Sequence, residues 1–577
     1  MKFRSIEIKN FRNFDNINVP LSNKNVIFGM NDIGKTNFLY ALRFLFDKDI
    51  RKNGFEITDY HKNKTENTIS ITAELDISDF DNSEDTKKLV SEAVGVRNSI
   101  NSNKFFVQVL GEYNAKELIG EPKLFWGDDK ENLVEMDNNG YSFKIDKVFQ
   151  IIYINPLMDL DRIFTKNKRF LINESNSSDD DKSIIDKINK LTKEVNLNIG
   201  KMSIIDSLQK EITQEYNGLR KENIEIEMKS EMAIKGFFSD IVPYIKKKDD
   251  ENYYPTSGDG RRKILGYSMI NLIAKRIYED KIVIYLIEEP ENSLHRSMQI
   301  ALSQQLFSNQ AYKYCFISTH SADILYELDE AMLLRIYSQD KVECSSYLYR
   351  ISGSFKNDKR KLNRNFSNAL FSERVLLIEG PSEYVLFEKV MSCINNDYEL
   401  EGGYILQVNG TYFKTYFQAF KGLNIDIIVK TDNDLKKKKG STNEFELLGI
   451  NRCLALIGKE KKDNILVKFE SSKVVDKKNQ LKEERKELYK KNETLIKEFS
   501  DNKIYLSELD LENDLANEIV DKMGEILDVD NSKVVEKLQS SKLYNMVSLV
   551  DGLEQQDCVK IYGSKYFKCL KELNNDI

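Results

Sequence analysis

The chain has 577 residues, of which 41% are hydrophobic and 31% are charged, and its formal net charge is −7. This length exceeds what one hydrophobic core supports, so two or three domains are expected, and the composition excludes a disordered chain. No apolar run reaches the roughly 20 residues of a membrane helix, and the first residues lack the apolar segment of a secretory signal. We therefore expect a cytoplasmic protein without a membrane partner.

The cysteine and histidine usage restricts the metals that the chain can hold. Six cysteines are scattered without a CxxC spacing, which favours free thiols in a reducing compartment and argues against a zinc ribbon. The only histidines are His61, His295 and His320, so a histidine-rich metal site is excluded. Any metal must bind to carboxylates, which favours Mg²⁺ or Mn²⁺.

The segment VIFGMNDIGKTNFLYAL contains a phosphate-binding loop, GxxxxGKT, between a predicted strand and a predicted amphipathic helix. Backbone N–H groups of such a loop and the positive end of the helix favour phosphate groups. We expect Lys35 to contact the β- and γ-phosphates of ATP and Thr36 to hold its Mg²⁺. The residues assigned to nucleotide binding here are Gly29, Asn31, Gly34, Lys35, Thr36 and Asn37.

Apolar residues recur at helical spacing from about residue 183 to 235 and predict two long helices. A helical insertion at about 160–235 would suit dimerisation, and an amphipathic face packed on its own domain is the alternative. Ser257 then lies in a SGDG stretch that resembles a degenerate signature loop, the part that contacts the γ-phosphate in a neighbouring subunit. A plain glycine-rich turn is the alternative interpretation; a true signature loop would require at least a dimer.

The second half of an ATPase site is predicted at IVIYLIEEPENSLH, where an apolar strand ends in Glu288 and Glu289. In ATP-binding-cassette and chromosome-maintenance ATPases the matching motif ends in Asp-Glu. Glu288 therefore takes the position beside Mg²⁺, and Glu289 is placed to polarise the attacking water. His320, in FISTHSADIL, stands where those ATPases have a γ-phosphate-sensing histidine, although a buried structural histidine is the alternative; the role of His295 stays open.

Acidic residues end two predicted strands in the last third of the chain. Glu379 follows the strand 374–378, with Glu383 in the first turn of the next helix, and Asp432 and Asp434 end a later strand. Parallel strands carry their functional ends on one edge, so these acids should converge. The run Lys436–Lys439 behind them would contact DNA phosphates, with a solvated loop as the alternative. Residues 471–497, rich in charge, predict a solvated helix.

A Glu at a strand end followed by Asp-x-Asp resembles the Toprim domain of topoisomerases, primases and certain nucleases. Joined to a cassette-type ATPase, it resembles the OLD (overcoming-lysogenisation-defect) nuclease family over essentially the whole chain. The implied fold class is α/β: an ABC/SMC-type P-loop ATPase domain with an inserted helical dimerisation element, followed by a Toprim α/β domain. We expect the ATPase domain at 1–350, a linker at 351–366 and the Toprim nuclease domain at 367–577.

The resemblance implies further acids and a lysine near the C-terminus, for which ordinary surface charge is the alternative. The implied catalytic residues are Glu379, Asp432, Asp434, Asp510, Lys542 and, in the ATPase, Glu289. The implied metal ligands are Glu379, Glu383, Asp432, Asp434, Asp510 and Glu512, with Thr36 at the nucleotide's ion.

The same resemblance implies a metal-dependent endonuclease that nicks double-stranded DNA in bacterial anti-phage defence. Bound ATP would hold the nuclease off, and nucleotide depletion would release it. The implied cofactors are Mg²⁺ or Mn²⁺ and ATP, and the implied partners are further copies in a homodimer or homotetramer and a UvrD-like helicase subunit. Two alternatives remain: a DNA-repair ATPase whose Toprim domain only binds DNA, and topoisomerase or primase chemistry.

Overall fold

A computed structural model of the chain was analysed. It describes residues 1–29, 34–96, 103–139, 142–157, 179–219, 245–246, 253–254, 259–326, 331–338, 344–350, 365–408, 412–421, 423, 425–471 and 473–576.

Strands and helices alternate over most of the described chain. The strands are β1 (Lys2–Phe11), β2 (Phe14–Pro20), β3 (Lys24–Phe28), β4 (Ile69–Asp76), β5 (Lys104–Asn114), β6 (Ile119–Gly127), β7 (Val134–Glu135), β8 (Asn138–Asn139), β9 (Ser142–Phe143), β10 (Phe149–Ile154), β11 (Ile245–Lys246), β12 (Tyr253–Tyr254), β13 (Ile282–Glu288), β14 (Tyr314–Thr319), β15 (Met332–Ser338), β16 (Cys344–Arg350), β17 (Arg374–Ile378), β18 (Gly403–Gln407), β19 (Asp426–Thr431), β20 (Leu435–Lys437), β21 (Glu444–Leu447), β22 (Ile465–Leu466) and β23 (Ile504–Leu506). The helices are α1 (Lys35–Phe46), α2 (Lys48–Arg51), α3 (Glu84–Glu92), α4 (Ile145–Val148), α5 (Asp179–Gly200), α6 (Ser203–Leu219), α7 (Asp259–Ile277), α8 (Arg296–Ser308), α9 (Ala322–Tyr326), α10 (Asn365–Ala369), α11 (Pro381–Ile394), α12 (Phe413–Phe420), α13 (Leu448–Leu456), α14 (Val474–Lys491), α15 (Glu493–Asp501), α16 (Leu511–Leu527), α17 (Val534–Ser540), α18 (Lys542–Asp551), α19 (Gln555–Gly563) and α20 (Lys568–Asn574).

Three large sheets organise these elements. An antiparallel sheet has the order β2-β1-β4-β5-β6-β7. The sheet that contains the strand before the predicted nucleotide loop, called the ATPase sheet after the predicted domain, has the order β10-β13-β14-β3-β15-β16 and is parallel except for its last strand. The sheet of the predicted Toprim domain, called the Toprim sheet, has the order β18-β17-β19-β23 and is parallel throughout. The small antiparallel sheet β20-β21-β22 follows β19 in the chain.

The two faces of the ATPase sheet pack into two different hydrophobic cores. Ile27 of β3 packs with helix α1 and the antiparallel sheet. Its neighbours Val26 and Phe28 pack instead into a core that also contains Val375 and Val429 of the Toprim sheet. Successive side chains of a strand point to opposite faces, so β3, the strand that leads to the predicted nucleotide loop, is packed on both sides. The far face of the Toprim sheet packs against α11, α16 and α18–α20.

The predicted secondary structure agrees with the structure around both sites. Strand 374–378 and helix α1 are confirmed, and α11 places Glu383 in its first turn. The domain boundaries at 350 and 366 stay predictions, and most of the predicted linker lies outside the described residues. In the part of the chain that the structure describes, no helix combines the length and the apolar character needed to span a membrane.

The predicted helical insertion is present in part. Helices α5 and α6 lie within it, and the predicted extension beyond residue 219 lies outside the described residues. An apolar stripe on these two helices is exposed to solvent, so it does not pack on the described part of its own chain. Its members are Ile184, Leu191, Val195, Leu197, Ile204, Leu208 and Ile212.

A buried arginine joins the ATPase and Toprim sheets. Arg335, in β15 beside the nucleotide-loop strand, donates from Nη2 to the backbone oxygen of Ser372 (2.7 Å) and from Nη1 to that of Leu423. Burial lowers the pKa of Arg335 to about 10. The rings of Phe28 and Phe371 meet edge to face beside it, with centroids 5.7 Å apart.

Replacing Arg335 should therefore loosen the contact between the two sheets. Arg335→Met keeps most of the side-chain length but leaves two buried carbonyl groups without donors, which lowers the free energy of unfolding by about 2 kcal/mol. We expect lower stability in urea and faster amide hydrogen exchange in residues 332–338 and 372–377.

Arg374→Met is the matched control. Arg374 also donates to two backbone oxygens, those of Leu573 (2.8 Å) and Glu401 (2.7 Å), but neither contact involves a strand of the ATPase sheet. Its loss should accelerate exchange in 398–407 and 568–574 and leave 332–338 unchanged. Equal exchange of 332–338 in both variants would contradict the assigned role of Arg335.

Candidate nucleotide site and metal centre

The nucleotide loop lies between β3 and α1, as predicted. Gly29 (φ 149°) and Gly34 (φ 105°) adopt backbone conformations that L side chains rarely adopt. A Cβ on Gly34 would lie 1.9 Å from Nδ2 of Asn13, so the Asn13 side chain would have to move to admit a larger residue here. Lys35 is buried and donates from Nζ to the backbone oxygen of Gly29 at 3.1 Å.

Glu288, the last residue of β13, meets the start of α1 from across the sheet, with β14 between β13 and β3. One carboxylate oxygen of Glu288 accepts a hydrogen bond from the Thr36 hydroxyl, and the other accepts one from the Tyr153 hydroxyl. Burial, followed by these interactions with Glu288, raises the pKa of Tyr153. The side chains of Thr36 and Glu288 are thus in direct contact. A hydroxyl oxygen next to a carboxylate is a pair of oxygen ligands suited to Mg²⁺.

Glu289 and His320 also come together. Nε2 of His320 lies 3.3 Å from Oε1 of Glu289, and Nδ2 of Asn292 donates to Oε2 of Glu289 at 2.9 Å. Glu289 has a φ of 42°, a left-handed conformation that is unusual for its residue type. His295, whose role was open, lies at the N-terminus of α8, where its Nδ1 contacts the Ser297 hydroxyl.

Two unpredicted residues contact the predicted Asn37. Arg12 donates from Nη1 to Oδ1 of Asn37, and Asn37 donates from Nδ2 to Oδ1 of Asn13, both at 2.9 Å. These side chains and Asp59 line a cavity of about 450 Å³ beside the first turn of α1. The predicted nucleotide contacts Asn31 and Ser257 lie outside the described residues.

The carboxyl ends of three parallel Toprim strands meet at one edge, which carries the predicted acids. Glu379 follows β17, Asp432 and Asp434 follow β19, and Asp510 comes four residues after β23. Glu379 is joined directly to the next strand, because its Oε1 accepts a hydrogen bond from the backbone N–H of Asp432 at 3.1 Å. The parallel register therefore produces the predicted convergence.

Helix α16 begins at this edge and adds the two later acids. Asp510 is its N-cap and accepts a hydrogen bond from the backbone N–H of Asn513 at 3.0 Å. Asp432 accepts one from the backbone N–H of Leu511 at 3.1 Å, so both carboxylates lie at the positive end of the helix. Glu512, in the first turn, is buried, and its Oε1 lies 3.0 Å from Nζ of Lys542.

We call these six residues the acidic site: Glu379, Glu383, Asp432, Asp434, Asp510 and Glu512. Burial, followed by the charges of neighbouring acids, raises the pKa of Asp432 well above its usual range. Burial also raises the pKa of Glu383 and of Asp434, the latter against the opposing effect of Arg485. Burial lowers the pKa of Lys542, but Glu512 and its acidic neighbours raise it overall. Like charges held in a low dielectric require compensating cations.

Two arginines of this site were not predicted. Arg452, in α13, donates from Nη1 to Oε1 of Glu379, and Arg485, in α14, lies 3.5 Å from Asp434 and 3.8 Å from Asp510. Arg485 also donates from Nε to the backbone oxygen of Asn433 at 2.6 Å. The prediction of a solvated helix at 471–497 is therefore wrong at Arg485, and it is also wrong at Leu488, which is buried in a hydrophobic core. Helix α14 reaches the site through the long side chain of Arg485.

The acidic site has the ligand chemistry of a divalent cation. All its donors are carboxylate oxygens, and Oε2 of Glu512 is buried without a hydrogen-bond partner. Among the described residues, no three His, Cys, Asp or Glu side chains are already spaced as a metal-binding set. Arg452, Arg485 and Lys542 instead each form an ion pair with one or two of the acids. The predicted metal ligands thus lie at the same edge of the Toprim sheet, and their roles in metal binding stay predictions.

The run Lys436–Lys439 is exposed to solvent and follows this edge in the chain. Lys436 and Lys437 lie in β20, and Lys438 pairs with Glu444 of the adjacent strand (2.7 Å). The run therefore belongs to a short antiparallel sheet and is not a loop throughout.

Comparisons with known proteins agree with this architecture. The family model described as AAA ATPase domain matches residues 1–325, and the model described as overcoming lysogenization defect protein-like, TOPRIM domain, matches residues 370–434. The sequence is 54% identical over 574 residues to endonuclease GajA of Bacillus cereus (strain VD045), covering 99% of each chain.

Two solved structures show weaker similarity. A SmcHead structure, bound to the C-winged helix domain of ScpA, covers 61% of this chain and 99% of its own at 12% identity and a TM-score of 0.35. The C-terminal region of the Burkholderia pseudomallei OLD protein covers 36% of this chain and 98% of its own at 15% identity and a TM-score of 0.25. At TM-scores below 0.5, neither supports a statement about the site.

The two family models confirm the predicted order of an ATPase domain followed by a Toprim domain. The identity to endonuclease GajA extends over nearly the whole length of both chains, which confirms the predicted resemblance. The chain therefore belongs to the endonuclease GajA family, in which an AAA-type ATPase domain is joined to an OLD-like Toprim domain.

Proposed function

We propose that this chain is a divalent-metal-dependent endonuclease that nicks double-stranded DNA in bacterial anti-phage defence. The observation that carries the proposal is the convergence of six carboxylates, next to Lys542, at one edge of the Toprim sheet. The identity to a protein named endonuclease GajA supports the same activity.

The residues of the two sites would have separate roles in DNA cleavage and in ATP hydrolysis. The carboxylates of the acidic site would hold Mg²⁺ or Mn²⁺, which supplies an activated water and stabilises the leaving oxygen. Lys542, kept protonated beside Glu512, is placed to offset the negative charge that develops at the phosphate. In the ATPase domain, Glu289 with His320 would orient the water that attacks ATP.

We further propose that ATP on the nucleotide loop holds the nuclease off and that nucleotide depletion releases it. The strand β3, which ends at the nucleotide loop, packs through Phe28 into the core that it shares with the Toprim sheet. Arg335 of the adjacent strand donates to Toprim backbone oxygens. A change at the loop therefore has a short packed route to the nuclease domain.

The proposed assembly is a homodimer or homotetramer with a UvrD-like helicase subunit as partner. The exposed apolar stripe on α5 and α6 supports self-association, because exposed apolar surface of this extent favours an interface. The proposed location is the bacterial cytoplasm; the buried free thiols of Cys315, Cys453 and Cys569 are compatible with a reducing compartment.

The first prediction concerns plasmid nicking. Wild-type protein with Mg²⁺ or Mn²⁺ should convert supercoiled plasmid to nicked circles, and Glu379→Ala should slow this by more than about 100-fold, beyond the loss expected for a residue outside the metal's ligands. Glu373→Ala is the matched control, because Glu373 lies at the opposite end of the same strand and is half exposed. Equal nicking by all three proteins would contradict the assignment, and ligated topoisomers would favour topoisomerase chemistry.

The second prediction concerns nucleotide control. Lys35→Ala removes the buried ammonium group of the loop, so the ATP concentration that halves nicking should rise by about 100-fold or more. The measurement is the nicking rate of each protein over a series of ATP concentrations. Lys52→Ala, at an exposed lysine, should keep the wild-type half-inhibiting concentration. Inhibition that is equal in wild type and Lys35→Ala would contradict control through this loop.

The third prediction concerns the lysines beside the acidic site. Replacing Lys436, Lys437 and Lys439 by Gln should weaken DNA binding and reduce the slope of log affinity against log salt by up to about 3, close to one unit per phosphate contact. The metal requirement should not change. The control replaces Lys560, Lys565 and Lys568, which are exposed in the C-terminal helices, by Gln. Equal slopes for both triple variants would show that the β20 lysines do not contact DNA.

A further inference from the structure

One oxygen of Glu379 receives every hydrogen bond observed at this carboxylate. Oε1 accepts from the Thr431 hydroxyl at 2.6 Å, from the backbone N–H of Asp432 at 3.1 Å, and from Nη1 of Arg452. Nη1 of Arg452 also donates to the Thr431 hydroxyl, so the three side chains form a closed triangle. Among the described residues, no hydrogen bond to Oε2 of Glu379 is observed.

These donors come from a rigid part of the fold. Thr431 is the last residue of β19 and is 1% exposed, and the side chain of Arg452 is 9% exposed. Helix α13 is held against the Asp432 loop at Gly449, where a Cβ would lie 2.4 Å from the backbone oxygen of Asp432. The helix therefore approaches closely enough for Arg452, three residues later, to reach Glu379.

The arrangement restricts how Glu379 can turn. Rotation of its carboxylate would break three hydrogen bonds to an ionised acceptor, and one of them, from Arg452, also has an ionised donor. The guanidinium group of Arg452 also lies 5.3 Å from the ring centroid of Phe413, which restrains the arginine itself. Oε1 is thus occupied in a fixed orientation, and Oε2 is the oxygen left for another ligand.

We propose that Thr431 and Arg452 are positioning residues that hold Glu379 by Oε1 so that Oε2 binds the divalent cation. This inference rests on the proposed metal-dependent function, and it assigns both residues a role in metal affinity without contact to DNA. Outer partners of metal-ligating carboxylates orient the ligand, and their loss typically weakens metal binding by about 10- to 100-fold.

A simpler reading is that Thr431 and Arg452 only neutralise and pack a buried carboxylate. Two substitutions at Thr431 separate the readings. Thr431→Ser keeps the hydroxyl but loses a methyl group from a buried site, whereas Thr431→Val keeps the shape and loses the hydroxyl. If Thr431 only packs, Thr431→Ser should be the less stable of the two variants and metal affinity should not single out Thr431→Val. If Thr431 positions Glu379, Thr431→Val should be the variant with the weaker metal affinity.

The test is Mn²⁺ binding to the full-length protein, measured by the loss of the free-ion paramagnetic resonance signal, with nicking followed against Mn²⁺ concentration. Thr431→Val should raise the Kd for Mn²⁺ by about 10-fold and shift the half-maximal Mn²⁺ for nicking equally, while Thr431→Ser stays within about threefold of wild type. At saturating Mn²⁺, the nicking rate of Thr431→Val should fall by a smaller factor than its affinity for Mn²⁺.

Wild-type affinity in Thr431→Val, or equal loss in both variants, would overturn the inference. If Thr431→Val does not fold, Arg452→Gln serves instead, with the same expected rise in Kd; an unchanged Kd there would also overturn it. Failure of the wild-type protein to bind Mn²⁺ or to nick plasmid would instead refute the proposed function, so the two failures are distinguishable.

Discussion

Repulsion among carboxylates at one edge of the Toprim sheet is the constraint on which this domain depends. The parallel strands β17, β19 and β23 bring Glu379, Asp432 and Asp510 to the same edge, and the burial of Asp432 and Asp510 limits the screening of their charges by water. This repulsion is offset by positive groups from separate elements, namely Arg452, Arg485, Lys542 and the N-terminus of α16. A site so arranged is suited to divalent cations, which would add positive charge where the acids meet.

The same sheet connects this chemistry to the nucleotide loop. One of its faces packs against the helices that carry the later acids, and the other belongs to the core that contains Phe28 beside the nucleotide loop. Lys430 and Asp514 form a buried ion pair (2.7 Å) that fixes β19 to α16 between these layers. The acids are therefore positioned by elements that also meet the ATPase domain, which is the physical basis for proposing nucleotide control.

The sequence predicted the parts of the site that local patterns encode. Apolar runs that end in acids identified Glu379, Glu288 and Asp432, because parallel strands expose their functional residues at one end. Arg452 and Arg485 escaped prediction because no local pattern distinguishes them from other surface cations. Their contacts depend on the close approach at Gly449 and on the placement of an exposed helix. Which acid pairs with which arginine or lysine could likewise not be predicted from sequence spacing alone.

Anomalous diffraction from crystals of the full-length protein grown with Mn²⁺ would test the central claim most directly. The account predicts manganese at the acidic site, with carboxylate oxygens of Asp432, Asp434 and Glu379 within about 2.0–2.4 Å of an ion, the range of hard cations bound by oxygen. Manganese bound elsewhere, with the arginine contacts of Glu379 and Asp434 intact and no ion among the six acids, would contradict it.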